Sequence, residues 1–308
     1  MQTLLNADIL RRLEQMQLIA ARRAKSTAKG ERKSRARGQS VEFADYRSYV
    51  PGDDLRYLDW ALFGRLDKLF VRLYEEEREL PVVIFLDGSE SMTFGMPRKF
   101  DFARQIAAAV GYIALCGFDR VSIRVFPALG EGGNSAVDGT APQSIARRAL
   151  QSVRGKRSAL GYLTNLQALE AGGVGDLASA LKRGTGEIKQ TGAVLVISDF
   201  LDPAGYETGL AAMVARGFHV TAIQVLAPAE LSPSIHGDLK LIDSETGAVQ
   251  EVSFGKYRLA AYQKAVAGYI RQWEAFCKAR GIRSLTVSSG TSLSDVVLRQ
   301  MRTSRLLG

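Results

Sequence analysis

Two short runs constrain most strongly what this chain can fold into. Val82-Val83-Ile84-Phe85-Leu86 and Ala193-Val194-Leu195-Val196-Ile197 are apolar at every position. A strand with one wet face alternates apolar and polar residues, whereas a strand covered on both faces reads as an unbroken apolar run. The two runs therefore predict central strands of a parallel sheet with helices over both faces. The flanking pattern agrees. It predicts a helix over Phe100–Gly117, a strand over Val121–Phe126, and helices over about Pro142–Val153, Asp176–Lys189 and Tyr206–Arg216. A strand over Phe218–Leu226 follows, then a hairpin of Leu239–Asp243 and Val249–Val252 around SETGA. A long helix over about Lys256–Arg280 is closed by Gly281, and a strand over Arg283–Val287 precedes a last helix over about Ser292–Met301, capped by Thr291 or Ser292. Strands alternating with helices make an α/β domain with a mostly parallel sheet and right-handed crossovers.

Upstream the chain is different. Residues 41–60, VEFADYRSYVPGDDLRYLDW, set aromatics and acids around a Pro-Gly turn, and Leu69, Val71 and Leu73 alternate as in a strand. In the turn segment Asp53 or Asp54 suits a helix cap, Arg56 and Asp59 are spaced to pair, and Trp60 reads as a buried anchor. Residues 1–40 carry ten basic against three acidic side chains, +7 of the whole chain's +9. Their start is amphipathic, with Leu4, Leu5, Ile9, Leu10, Leu13, Met16 and Ile19 or Ala20 at helical spacing. After Ala24 the basic segment has no periodicity and no interleaved aromatics to stack bases, so a helix packed on the body with a solvated basic loop is favoured over a nucleic-acid arm. The organisation expected is thus a basic helix and loop over 1–40, a small lobe over 41–80, the α/β domain over 81–290 and a C-terminal helix over 291–308.

Composition removes several function classes. Two cysteines, Cys116 and Cys277, exclude a disulfide scaffold and a cysteine zinc site, and two histidines leave little for a histidine-rich one. No run reaches the ~20 apolar residues that span a bilayer, and the N-terminus lacks an apolar signal segment, which points to a cytoplasmic protein.

In open α/β sheets ligands sit at the carboxyl ends of the strands. There the first run continues as Asp87-Gly88-Ser89-Glu90-Ser91 and the second as Ser198-Asp199-Phe200-Leu201-Asp202. A D-x-S-x-S loop presents one carboxylate and two hydroxyls, hard oxygens suited to a hard cation, and Asp199 adds a second carboxylate. One coordination position is then left for an acid from a partner. The competing reading makes Ser89 and Ser91 simple caps of the following turn, with Asp87 bonded to backbone amides.

The D-x-S-x-S loop after a strand resembles the metal-ion-dependent adhesion site (MIDAS) of von Willebrand factor A domains. Tyr49-Val50-Pro51-Gly52-Asp53-Asp54-Leu55-Arg56-Tyr57-Leu58-Asp59-Trp60, with Glu42-Phe43, Arg47, the Glu75–Glu79 run and Ser198-Asp199, resembles the bacterial family called domain of unknown function 58 over roughly residues 38–290. The resemblance implies a Rossmann-like von Willebrand factor A-type domain with a small N-terminal lobe and no established catalysis. It also implies a working partnership with a MoxR-type AAA+ ATPase in the maturation or remodelling of protein complexes. Carried over residue by residue, Asp87, Ser89, Ser91 and Asp199 are the metal ligands, for Mg²⁺ or for Mn²⁺ or Ca²⁺ in its place. Gly175 stands where that family has a threonine, so one hydroxyl is missing, and Asp176 and Asp202 are the auxiliary candidates. Arg47, Asp53, Asp54, Arg56 and Asp59 form a candidate docking surface, with a structural clasp as the competing reading.

Other reaction classes fit less well. A haloacid-dehalogenase-type phosphatase wants a second acid where Ser89 stands. A serine hydrolase needs an oriented histidine, but His219 lies in an apolar strand pattern and reads as a core residue, and His236 has no motif around it. No P-loop occurs, and the Gly130–Gly139 segment lacks the strand–helix setting of a dinucleotide loop. The expectation is a non-enzymatic, protein-binding adaptor. The alternatives are a metal-dependent hydrolase using Asp176 or Asp202 as base, and an anionic-surface binder acting through residues 1–40.

Overall fold

The computed structural model describes residues 4–18, 41–76, 80–127, 152–233, 237–242, 249–254 and 256–307. The chain divides into two compact units, Arg23–Glu79 on one side and Met1–Arg22 with Leu80–Gly308 on the other.

The smaller unit contains an antiparallel pair, β1 (Val41–Ser48) and β2 (Phe70–Glu76), with a register shift between Phe43 and Asp45. Between them run a 3-10 turn at Leu55–Tyr57 and helix α2 (Trp60–Leu66). Asp59 builds the helix start. It accepts from the amides of Ala61 and Leu62 at 3.0 Å each, and its other oxygen accepts from the Tyr46 hydroxyl and the Arg72 guanidinium at 2.9 Å. The Leu62 amide and then the Tyr46 hydroxyl hold its carboxyl below the usual aspartate range. The expected Arg56–Asp59 pair does not form, because Asp59 is already saturated; Arg56 pairs with Asp54 instead. Trp60 is not a buried anchor. It is 63% exposed and meets Phe63 edge to face.

The larger unit holds a six-stranded sheet in the order β10–β7–β6–β3–β4–β5. The strands are β3 (Pro81–Asp87), β4 (Arg120–Phe126), β5 (Val153–Arg154), β6 (Ala193–Ser198), β7 (His219–Leu226) and β10 (Arg283–Ser288). All neighbours are parallel except the short edge strand β5. As the apolar runs require, β3 and β6 are central and buried on both faces. The hairpin predicted after residue 236 is present as β8 (Gly237–Ile242) and β9 (Val249–Phe254).

Alternation along the strands sorts their side chains between two cores. Val83, Phe85, Val194, Val196, Val220 and Ala222 share one cluster with Leu177 and Leu181 of α5 (Leu177–Glu187), Leu210 and Met213 of α6 (Glu207–Ala215), and Trp273 and Cys277 of α8 (Lys256–Ala279). Helix α3 (Lys99–Cys116) packs on the sheet, buried almost all round, and carries both α1 (Ala7–Leu13) and α4 (Ala159–Gln167). Gly111 makes the last contact possible. A Cβ there would lie 2.0 Å from the Tyr162 hydroxyl, which donates to the Ala107 carbonyl at 2.6 Å.

Both chain ends belong to this unit rather than standing apart. Leu5, Leu13 and Met16 are buried, Glu14 accepts from the Tyr112 hydroxyl at 2.7 Å and pairs with Lys156 at 2.8 Å, and Leu18 bridges to Leu307. The first helix is shorter than its apolar spacing predicts and ends at Leu13. The last helical segment, Leu293 to Thr303, contains a π turn over Val296–Gln300 and is capped by Ser292. Residues 142–151 of the helix expected over Pro142–Val153, and the Gly130–Gly139 segment, lie outside the described residues; Val153 begins β5. Among the described residues no helix is long and apolar enough to cross a membrane.

Candidate functional site

The sheet reverses its order beside β3. The chain steps from β3 to β4 on one side and returns to β6 on the other, so the carboxyl ends of β3 and β6 border the crevice where such sheets bind ligands. The two acidic loops leave from these ends.

Asp87 closes β3 and is 4% exposed. One of its carboxylate oxygens accepts from the Ser89 amide at 2.9 Å, the other from the Ser198 hydroxyl at 2.5 Å. The Ser89 and Ser91 hydroxyls are 3.0 Å apart, and Ser91 donates to Asp199 Oδ2 at 2.9 Å. Asp199 is 2% exposed, and its Oδ1 accepts from the Leu201 amide at 3.0 Å. The next residue, Phe200, takes a left-handed φ of +56°, a conformation a phenylalanine adopts only where its surroundings dictate it. Here the ring is fixed against Tyr206 and Trp273, while the Phe200 amide donates to Ser198 Oγ. The resulting turn sends Asp199 and Leu201 to the cavity side.

Asp87, Ser89, Ser91, Asp199, Leu201 and Asp202 line one cavity of about 160 Å³, together with Gly175 and Pro127. All four predicted ligand residues are therefore brought together. The auxiliary candidates fare differently. Asp202 lines the cavity, but its oxygens accept from the Leu177 amide at 2.6 Å and the Ala204 amide at 2.7 Å. Asp176 caps α5 through the amide and hydroxyl of Ser179 and does not line the cavity. Gly175 has a steric reason. A Cβ at this position would sit 2.6 Å from the Pro127 Cβ, so the proline ring fills the space a threonine would need.

Burial pushes the Asp87 carboxyl up to about 7, and the nearby Asp199 charge adds to it against the pull of Ser198 and Ser89. Two further charges complete the site, neither singled out by sequence. Lys99, 1% exposed at the start of α3, donates to Asp199 Oδ2 at 2.7 Å and to Glu230 Oε1 at 2.6 Å. Burial works against its ammonium, yet Asp199 and Glu230 outweigh burial and hold its pKa above the usual lysine range. Glu230 is fixed in turn by the Ala227 amide at 2.7 Å, at the start of α7 (Pro228–Leu231). A cation at the first turn opposes the helix dipole, and that was the sequence signal for Lys99. Three carboxyl groups, Asp87, Asp199 and Glu230, thus gather around one ammonium, so Lys99 alone does not balance them. The donor set of carboxylate and hydroxyl oxygens fits a hard divalent cation. Among the described residues no three His, Cys, Asp or Glu side chains cluster as a metal site on their own, so the serine hydroxyls are integral to this reading.

The histidines contribute nothing here. His219 is exposed as the first residue of β7, not a core residue, because the strand begins there and its buried stretch starts at Val220. His236 lies outside the described residues. In the smaller unit Arg47 pairs with Asp53 at 2.7 Å, and Asp53 also accepts from the Val50 amide, so the turn is internally clasped.

The chain resembles uncharacterized proteins of Mycobacterium bovis and Mycobacterium tuberculosis, each 30% identical over 234 residues, 75% of this chain and 69% of theirs. Among solved structures, BatB from Bacteroides thetaiotaomicron aligns at 14% identity, and an aerotolerance-related membrane protein from Bacteroides fragilis at 17%. Each has a TM-score of 0.39 and covers 73% of this chain and 98% of the other. The profile of the family described as protein of unknown function DUF58 matches residues 45–269, and the chain belongs to that family.

Proposed function

We propose that this protein is a non-catalytic binding module of von Willebrand factor A type, whose strand-end site takes a protein partner through a divalent cation. Asp87, Ser89, Ser91 and Asp199 would hold Mg²⁺, with Mn²⁺ or Ca²⁺ as substitutes, and the ion would supply an open position for a partner carboxylate. The observation that carries the reading is the convergence of these four side chains on one cavity at the switch point of the sheet. The loops bearing them add a second support. Phe94 and Met96 after Ser91, Val174 before Gly175, and Leu201 after Asp199 are apolar and exposed. A polar centre with apolar side chains on its surrounding loops suits a protein interface better than a small-molecule site.

The partner is a MoxR-type AAA+ ATPase, by the family resemblance. The hydrolase alternative loses support because both candidate bases are committed elsewhere, Asp176 to capping α5 and Asp202 to backbone amides. The test is co-purification of a MoxR-type ATPase from the same organism with tagged wild type and with the double variant Asp87→Ala, Ser89→Ala. Retention should require Mg²⁺ and disappear in the variant. Equal retention by both proteins, with or without EDTA, would refute the assignment.

A further inference from the structure

Lys99 is a buried charge to which the function above assigns no part. A buried ion pair is weak evidence for stability, since desolvation offsets most of its attraction, and an apolar side chain of similar volume could fill the space. The geometry gives the ammonium a more specific position. It shares Asp199 Oδ2 with the Ser91 hydroxyl, one hydrogen bond away from the cavity-lining oxygens. Its second partner, Glu230, is locked by the Ala227 amide, and the Phe94 ring lies 5.9 Å from the ammonium. The charge is held on three sides and cannot swing out to solvent without breaking both ion pairs.

We propose that Lys99 sets the cation affinity of the strand-end site, as a resident positive charge bonded to the carboxylate that a divalent ion would share. This rests on the cavity being a cation site. Lys99 stabilises Asp199 when no ion is present, and it repels an incoming divalent ion, so the site binds weakly and fills only at high ion concentration. Glu230 acts in the opposite sense, by drawing part of the lysine's field away from Asp199. Both are positioning residues acting through Asp199 rather than ligands.

The experiment is calorimetric titration of the full chain with Mg²⁺ or Mn²⁺ alone, alongside thermal melting in EDTA, for wild type, Lys99→Met, Glu230→Gln and Asp87→Ala. Lys99→Met keeps an unbranched side chain, one heavy atom shorter, and removes its charge. Its Mg²⁺ dissociation constant should fall at least tenfold, about 1.4 kcal/mol, although the metal-free protein melts earlier. Glu230→Gln should weaken Mg²⁺ binding several-fold. A purely structural role would move both variants the same way. Unchanged or weaker binding by a folded Lys99→Met protein overturns the inference. If that variant does not fold, unchanged or tighter binding by Glu230→Gln overturns it. Binding that is lost in Asp87→Ala yet not tightened in Lys99→Met leaves the cavity reading standing and removes this one. Binding by no variant, or binding that survives Asp87→Ala, removes both. Binding that emerges only in Lys99→Met supports both.

Discussion

Replacing Gly175 by alanine isolates the contact that leaves no room for a larger side chain at this position. The glycine does not need a left-handed backbone, so any penalty is steric. By itself, Gly→Ala should stabilise by ~0.4–1 kcal/mol through the unfolded chain. The added Cβ would stand 2.6 Å from the Pro127 Cβ, 3.3 Å from Cγ and 3.4 Å from Cα, where ordinary carbon contacts begin near ~3.5 Å. Relief requires a shift of about 1 Å in a loop with little freedom. Gly172 donates to the Gly88 carbonyl at 2.7 Å, Gly173 accepts from the Glu90 amide at 2.9 Å, and Asp176 is held as the α5 cap. Overpacking of this kind costs about 1–3 kcal/mol, which outweighs the entropic gain. The expected net result is a destabilisation of about 1–2 kcal/mol, read by urea denaturation. A double-mutant cycle with Pro127→Gly separates the contact from the backbone effects of each change. The double variant should be less destabilised than the sum of the singles by about 1–3 kcal/mol. Additive singles, or a stabilised Gly175→Ala, would show that the loop yields freely and that the proline does not explain why a glycine stands here.

Two further outcomes test the framework on which the site stands. In EDTA, wild-type stability should fall relative to Asp87→Asn as pH rises from about 4 towards about 7. The sign follows from a folded-state pKa above the unfolded one, whose contribution is complete below the unfolded value and lost through the folded value; parallel urea midpoints across that range would refute the burial of Asp87. Gly111→Ala should destabilise by about 1–3 kcal/mol by driving Tyr162 off α3, measured as a loss of urea midpoint, and a neutral result would show that α4 is not seated as described.

The fold was legible where the physical signal is local. An unbroken apolar run states that both faces are covered, and β3 and β6 are central for that reason. Residues Ala159–Gln167 gave no comparable signal, because the helix is short and interrupted by Gly161 and Thr164, and it forms through packing on α3. The strand at Val41–Ser48 was missed because its alternation is crowded with acids and aromatics, and only pairing with β2 makes it a strand. Trp60 misled because a large aromatic in a motif is usually buried, whereas here the anchoring role falls to Asp59 and its four hydrogen bonds.

The site divides along the same line. Asp87, Ser89 and Ser91 could be read from one loop, and Asp199 from an equivalent strand end, because strand termini in a parallel sheet have a known place. The charges beside those side chains could not. Lys99 lies 100 residues before Asp199 and 131 before Glu230, and no spacing rule links them. Yet Lys99 left a mark that local physics makes odd. Lys99 puts a cation at the positive end of a helix, whereas Glu230 occupies the favoured acidic position of a first turn, where it accepts from the Ala227 amide. A residue placed against its local preference, as Lys99 is, is held there by partners elsewhere in the fold. In this protein those partners are Glu230 and Asp199, and Asp199 lines the cavity.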